Sequence, residues 1–336
     1  MTAPVLEVRD LQVELSLGRG TVYPVRGASF DVLPGEALGL VGESGSGKTL
    51  ALRAIVGLLP RVGSVTGGSI RLDGEDLNAI GERRRRELRG RSISMIFQEP
   101  MTALNPVMRV GDQIAEIPRL RLGRSRAQAH ERAIELMRLV GIPDPARRVR
   151  AYPHELSGGL RQRVMIAIAL SGDPRVILCD EPTTALDVTI QDQILKLLDS
   201  LRERLGVAIV FVSHDLAVIA QTCRRLVVMY GGMVVETGLV ESVFRNPRHP
   251  YTLSLLRSVP DYDLVRDRLA AIPGAPPDLA SPPGGCPFHP RCPFAQEDCK
   301  AGEFPLRALS PERATACIHP EACEADVARE PVIASE

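Results

Sequence analysis

Lysine is nearly missing from this 336-residue chain: of 41 basic residues only Lys48, Lys196 and Lys300 are lysines, and the rest are arginines. That bias reads as genome composition rather than function, but it makes each lysine worth locating. The formal net charge is zero, so no global field selects nucleic acid or an acidic lipid surface. Aromatic residues make up only 4%. None accompanies the basic run ERRRRELRGR (82–91) as a stacking platform, so that run reads as a solvated helix face rather than a single-strand binding site. No apolar stretch approaches the ~18–20 residues needed to span a bilayer; the longest, such as VAIVFV (207–212), have the length of buried strands. The opening MTAPVLEVRDLQVEL has charges within its apolar pattern and no apolar h-region. The expectation is a soluble, cytosolic chain, where thiols stay reduced and disulfides are rare. No internal repeat is visible.

What is present is ordinary globular composition, 44% hydrophobic and 24% charged, in a length sufficient for one large domain or two. LEVRDLQVEL (6–15) alternates apolar and polar positions, predicting antiparallel strands and hairpins in the first 40 residues. ALGLVG (37–42) reads as a buried parallel strand, and TLALRAIVGLL (49–59) as a helix stopped by Pro60. Helical spacing dominates from Asp112 to Arg150, and strand-like runs return at VILCDE (176–181) and VAIVFVSH (207–214) around the helical QDQILKLLDSLRERL. Strands alternating with helices imply an α/β domain with a mainly parallel core sheet. After residue 245 proline and cysteine become dense and periodicity fades, which predicts a small second module; residues 324–336 read as a flexible tail.

Gly42-Glu43-Ser44-Gly45-Ser46-Gly47-Lys48-Thr49 fits G-x-x-x-x-G-K-[ST] between an expected strand and an expected helix. Glycines let successive backbone N–H groups turn inward and join a helix N-terminus as an anion nest. Lys48 would reach the β/γ-phosphates of a nucleotide and Thr49 would ligate Mg²⁺. VILCDE ends in Asp180-Glu181, carboxylates suited to holding Mg²⁺ through water and polarising an attacking water. His214 follows another strand, at the sheet end where ligands bind.

LSGGLRQRVMIAIAL (156–170) resembles the LSGGQ signature of ATP-binding cassette (ABC) ATPases, with Leu160 in place of the common Gln. The resemblance implies a P-loop NTPase fold with an antiparallel β subdomain and a helical subdomain (about 99–165) inside an ATPase domain at 1–245. It assigns Ser157, Gly158 and Gly159 to a nucleotide shared with a second subunit, Gln98 to the Q-loop and Mg²⁺, and Ala185-Leu186-Asp187 to the D-loop. It also makes Glu181 the catalytic base and His214 the γ-phosphate switch. Tyr23 is the candidate adenine-stacking residue, with core packing as its alternative. FQEPMTALNP, NPRHPYTLSLL and CPFHPRCPFA look like the oligopeptide/dipeptide importer branch and its C-terminal extension (246–323). That branch implies ATP-driven peptide uptake with a paralogous ATPase as heterodimer partner and two membrane permease subunits. An extracytoplasmic peptide-binding protein acts indirectly, there is no nucleic acid, and the place is the cytoplasmic face of the plasma membrane. A soluble ABC ATPase acting on ribosomes or nucleic acid, and an exporter ATPase, are the competing readings.

Cys286, Cys292, Cys299 and Cys317 are separated by 5, 6 and 17 residues, without the tight C-x₂₋₄-C pairs of zinc sites. Four thiolates could wrap a 4Fe–4S cluster, as the resemblance implies; zinc, free thiols or a disulfide remain alternatives. Cys323 is a spare ligand, His289 and His319 are outer-shell candidates, and Cys179 and Cys223 read as buried apolar residues.

Overall fold

The computed structural model describes residues 3–18, 20–184, 186–258 and 271–329. They fall into two units. One gathers the first residues of the chain, Val32–Ala37 and Arg71–Val212; the other gathers Glu7–Asp31, Leu38–Ile70 and the residues from Ser213 onward.

In the first unit, Ile93–Ile96, Val176–Asp180 and Ala208–Ser213 run parallel, with Ile93 opposite Val176 and Cys179 opposite Phe211. The unbroken apolar runs suit strands buried on both faces, and every residue of Val176–Asp180 and Ala208–Ser213 is buried. Helices Val110–Arg121, Arg126–Leu139 and Gly158–Leu170 pack on one another. The middle helix starts at a reciprocal cap, Ser125 Oγ accepting from Gln128 N–H while Gln128 Oε1 accepts from Ser125 N–H. Helix Glu82–Leu88 carries the basic run, and its charges are committed: Arg84 pairs with Glu75 at 3.0 Å, Arg86 with Glu82 at 3.2 Å and Arg83 with Glu87 at 3.6 Å. The solvated-face reading of that run agrees with this pairing.

In the second unit, Gly20–Val32, Leu6–Leu17 and Gly63–Leu72 lie side by side in one sheet. In the same unit Ala37–Val41 runs parallel to Arg225–Tyr230, which pairs antiparallel with Met233–Leu239. Two short strands from the chain's end extend this pairing: Arg313–Thr315 pairs with Met233–Leu239, and Arg307–Ser310 with Arg313–Thr315. Strand addition thus ties residues 307–315 to the sheet that holds Ala37–Val41.

The expected flexible tail is corrected from 324 to 329. Pro320–Arg329 is a helix, anchored by Arg248–Glu324 at 2.5 Å and Arg257–Asp326 at 2.5 Å. Cys323 is the buried residue of this helix, clustered with Leu253 and packed against Leu256, Phe294 and Val327. Polar spacing hid a helix whose apolar face is only Cys323 and Val327. Residues 330–336, and Ala185 of the expected D-loop, lie outside the described residues.

Candidate functional site

Strand Ala37–Val41 delivers the chain into the loop 42–47, and helix Lys48–Ile55 leaves it. Gly47 has φ 101°, and a Cβ there would stand 2.1 Å from the Pro24 carbonyl oxygen, so only glycine lets the loop pass. Lys48 is 5% exposed. Its Nζ donates to the carbonyls of Gly42 and Glu43 at 2.7 and 2.9 Å and to Ser46 Oγ at 3.3 Å, which fixes an ammonium in the concavity of the loop. The helix has no side-chain cap and no acid in its first turn, so its N-terminal dipole is left to an anion. Thr49 follows Lys48 in that first turn, and Ser44 and Gly45 complete the loop.

In the same unit, His214 is exposed immediately after the buried strand Ala208–Ser213. The next residue, Asp215, donates its N–H to Ser213 Oγ and caps helix Leu216–Thr222, its Oδ1 accepting from Ala217 N–H at 2.9 Å. Tyr23 is 43% exposed, which removes core packing as its role.

The other unit carries the remaining motif residues. Asp180 ends its strand 2% exposed. Glu181 follows with φ 48°, a left-handed backbone that is costly for a side-chain-bearing residue. Its carboxylate Oε2 accepts from Thr184 Oγ1 at 2.8 Å and Gln98 Nε2 at 3.2 Å. Gln98 also lines a cavity with Gly158, Pro182 and Leu186. Ser157 is the N-cap of helix Gly158–Leu170, and a Cβ on Gly159 would come within 2.9 Å of Ile190 Cγ2. Gly159 thus admits helix Val188–Leu205, whose own N-cap is Asp187, accepting from Ile190 N–H at 2.9 Å.

Cys286, Cys292, Cys299 and Cys317 line one small cavity with His249, Phe288, His289, Phe294, Phe304 and His319. Gly285, at φ 70°, lets the chain run against Cys299, and Cys286 N–H donates to Cys299 carbonyl at 2.9 Å. Burial raises the thiols of Cys286, Cys292 and Cys317, the last two to about 11 and about 12. His319 Nε2 pairs with Asp298 at 3.0 Å, which raises its pKa, and His289 Nδ1 lies 3.0 Å from the Cys286 carbonyl. Cys323 does not line this cavity. Cys179 and Cys223 are buried, as expected, and no disulfide joins any of the seven cysteines.

Sequence reasoning missed Arg291, Tyr230 and Tyr251. Arg291 grips the Glu43 carboxylate through two nitrogens, Nη1–Oε2 at 2.7 Å and Nη2–Oε1 at 3.1 Å. Tyr251 hydroxyl accepts from Glu43 N–H at 2.7 Å. An arginine amid proline and cysteine offered no period or motif to read.

Comparison with known proteins places residues 25–184 in the ABC transporter family and residues 235–299 in the oligopeptide/dipeptide transporter C-terminal region. A peptide import ATP-binding protein of Brucella abortus (strain 2308) is 48% identical over 316 residues, 94% of this chain and 95% of that one. The oligopeptide transport ATP-binding protein OppD of Mycobacterium tuberculosis is 49% identical over 323 residues, 95% of this chain but 52% of that longer protein. Among solved structures, the dimeric ATP-binding cassette MJ0796 in a post-hydrolysis state with ADP and Pi aligns at TM-score 0.62 and 28% identity, covering 70% of this chain and 98% of that one. Among the described residues no helix is long and apolar enough to cross a membrane.

Proposed function

The chain belongs to the ABC transporter family, in the branch bearing the oligopeptide/dipeptide C-terminal region, and on that premise we propose that it binds and hydrolyses ATP to energise peptide uptake through a membrane permease. The observation that carries this reading is the phosphate loop itself: a buried Lys48 ammonium held on the loop carbonyls beside an uncapped helix N-terminus. Such a cradle binds phosphoryl oxygens through fixed N–H groups and a fixed positive charge, with little reorganisation when charge develops.

Gly42 to Gly47 and Lys48 would hold the β- and γ-phosphates, and Tyr23 would stack on the adenine. Thr49, Asp180 and Gln98 would hold Mg²⁺, which supplies positive charge to the phosphoryl oxygens. Glu181 would orient or deprotonate the attacking water; its strained backbone and the two donors on Oε2 support a carboxylate held in one orientation. His214 would contact the γ-phosphate. Ser157, Gly158, Gly159 and Asp187 would serve the nucleotide of a facing ATPase, since one chain has one phosphate loop and one LSGG segment. The assembly inferred is a heterodimer with a paralogous ATPase under two permease subunits, at the cytoplasmic face, fed by an extracytoplasmic peptide-binding protein. Residues 1–245 form its ATPase domain, with the helical subdomain at about 99–165, and 246–323 its C-terminal extension.

Cys286, Cys292, Cys299 and Cys317 are proposed to hold a 4Fe–4S cluster. Among the described residues, Asp298, Cys299 and His319 place ligand atoms within 4.8 Å of one another. The four cysteines line one cavity, which supports the Cys₄ ligation that such a cluster takes, with zinc on the Asp298–Cys299–His319 group as the alternative. The thiols held up by burial would have to lose protons as the group binds.

Glu181→Gln, placed in an assembly whose second site is disabled, should keep ATP binding and stop turnover; normal turnover would end the assignment. For the cysteines, anaerobic purification followed by iron, sulfide and zinc analysis should give four irons per chain and a broad band near ~400 nm. One zinc and no band would remove the cluster.

A further inference from the structure

Arg291 stands between Cys286 and Cys292 in sequence, yet its side chain, 6% exposed, reaches the phosphate loop. Every nitrogen of the guanidinium is used. Nε donates to Pro273 carbonyl at 2.7 Å, Nη1 to Glu43 Oε2 at 2.7 Å and Tyr230 hydroxyl at 3.1 Å, and Nη2 to Glu43 Oε1 at 3.1 Å and Ile272 carbonyl at 3.3 Å. A planar fork on a carboxylate fixes both position and orientation, which a lysine cannot do. Glu43 is held a second time through its N–H, by the Tyr251 hydroxyl. Its carbonyl in turn accepts from Lys48 Nζ at 2.9 Å.

The residue that anchors Lys48 is thus clamped at its side chain and its amide by groups from the chain's far end. Behind the clamp, Phe288 packs edge-on to Tyr230 and Tyr251, with centroids 5.2 and 5.4 Å apart, and forms part of the cysteine cavity wall. Cysteine cavity, aromatic cluster, Arg291, Glu43 and Lys48 form one continuous series of contacts.

We propose that Arg291 is a positioning residue for nucleotide binding: the cysteine-bearing segment sets the shape of the phosphate loop through the Arg291–Glu43 pair. The inference rests on the ATPase reading above and adds to it a dependence of ATP affinity on a residue far from the nucleotide motifs.

The test is a double-mutant cycle on the full-length chain, reading the Kd of a fluorescent ATP analogue with Mg²⁺. Arg291→Gln and Glu43→Gln should each raise Kd about tenfold. The double variant should lose no more than either single, because both remove one interaction. Arg291→Lys, which keeps the charge and loses the fork, should fall between wild type and Arg291→Gln, and it supplies the result if Arg291→Gln does not fold. Glu43→Gln changes no residue of the cysteine segment and keeps one oxygen within reach of Arg291, and a Tm close to wild type would show that its loss does not come from unfolding. Wild-type affinity in Arg291→Lys or Glu43→Gln, or fully additive losses in the double, would overturn the proposal. Absence of ATP binding by the wild-type chain would instead overturn the ATPase reading, and this one with it.

Discussion

Replacing His249 by Asn isolates an acid-sensitive element of stability. The imidazole is 1% exposed and caps helix Pro250–Arg257, its Nδ1 accepting from Tyr251 N–H at 3.1 Å. The backbone N–H of His249 donates to the buried carboxylate of Glu236 at 3.0 Å, and the imidazole ring lies 6.1 Å from that of Phe288. Burial lowers its pKa to about 3, whereas an unfolded histidine titrates near ~6.5. The depressed folded value sets the sign: the neutral ring's contribution is complete above about pH 6.5. It is lost as pH falls from there toward 3, because the unfolded chain takes up a proton that the native chain refuses. The slope is ~1.4 kcal/mol per pH unit, or about 2 kcal/mol between pH 6.5 and 5.

Asn retains an N-cap acceptor and does not titrate. Urea denaturation of the full chain at pH 7, 6 and 5 should show His249→Asn less stable at pH 7. The difference from wild type should then shrink by about 1–2 kcal/mol by pH 5. Other titrating groups, including Glu236, cancel in that difference. A gap that stays constant across this range would refute a buried neutral imidazole at 249.

Gly47→Ala should abolish nucleotide binding, since the new Cβ would meet the Pro24 carbonyl at 2.1 Å with the backbone at φ 101°; an unchanged Kd in a nucleotide titration would contradict the loop geometry. Phe288→Ala removes a fully buried ring from the cluster with Tyr230 and Tyr251 and should cost about 3–5 kcal/mol, seen as a lowered Tm; a shift under about 1 kcal/mol would mean the cluster does not hold. Asp187→Ala removes the cap of helix Val188–Leu205 and should cost about 1 kcal/mol in the chain alone; equal stability would confine Asp187 to the assembled site.

The parallel strands, the phosphate loop and the signature helix were legible because each is local. VILCDE and VAIVFVS are apolar runs of strand length, and the loop's glycines and lysine are contiguous. The end of the chain was not legible in the same way. Arg313–Thr315 is three residues with no alternation to detect, and it becomes a strand because Met233–Leu239 offers an edge. Helix Pro320–Arg329 has a narrow apolar face, and Arg248 and Arg257 hold it through Glu324 and Asp326.

Sequence by itself settled that Lys48 sits at the start of a helix behind glycines, because backbone conformation and charge there follow from neighbours in the chain. It also named the four cysteines as a set. Only the tertiary structure decided that those cysteines line one cavity while Cys323 is buried outside it. It alone brought Arg291 to Glu43, 248 residues away in sequence. A salt bridge over that distance leaves no periodic trace: it is fixed by the sheet that carries both ends of the chain and by the burial that makes an unpaired guanidinium too costly to keep.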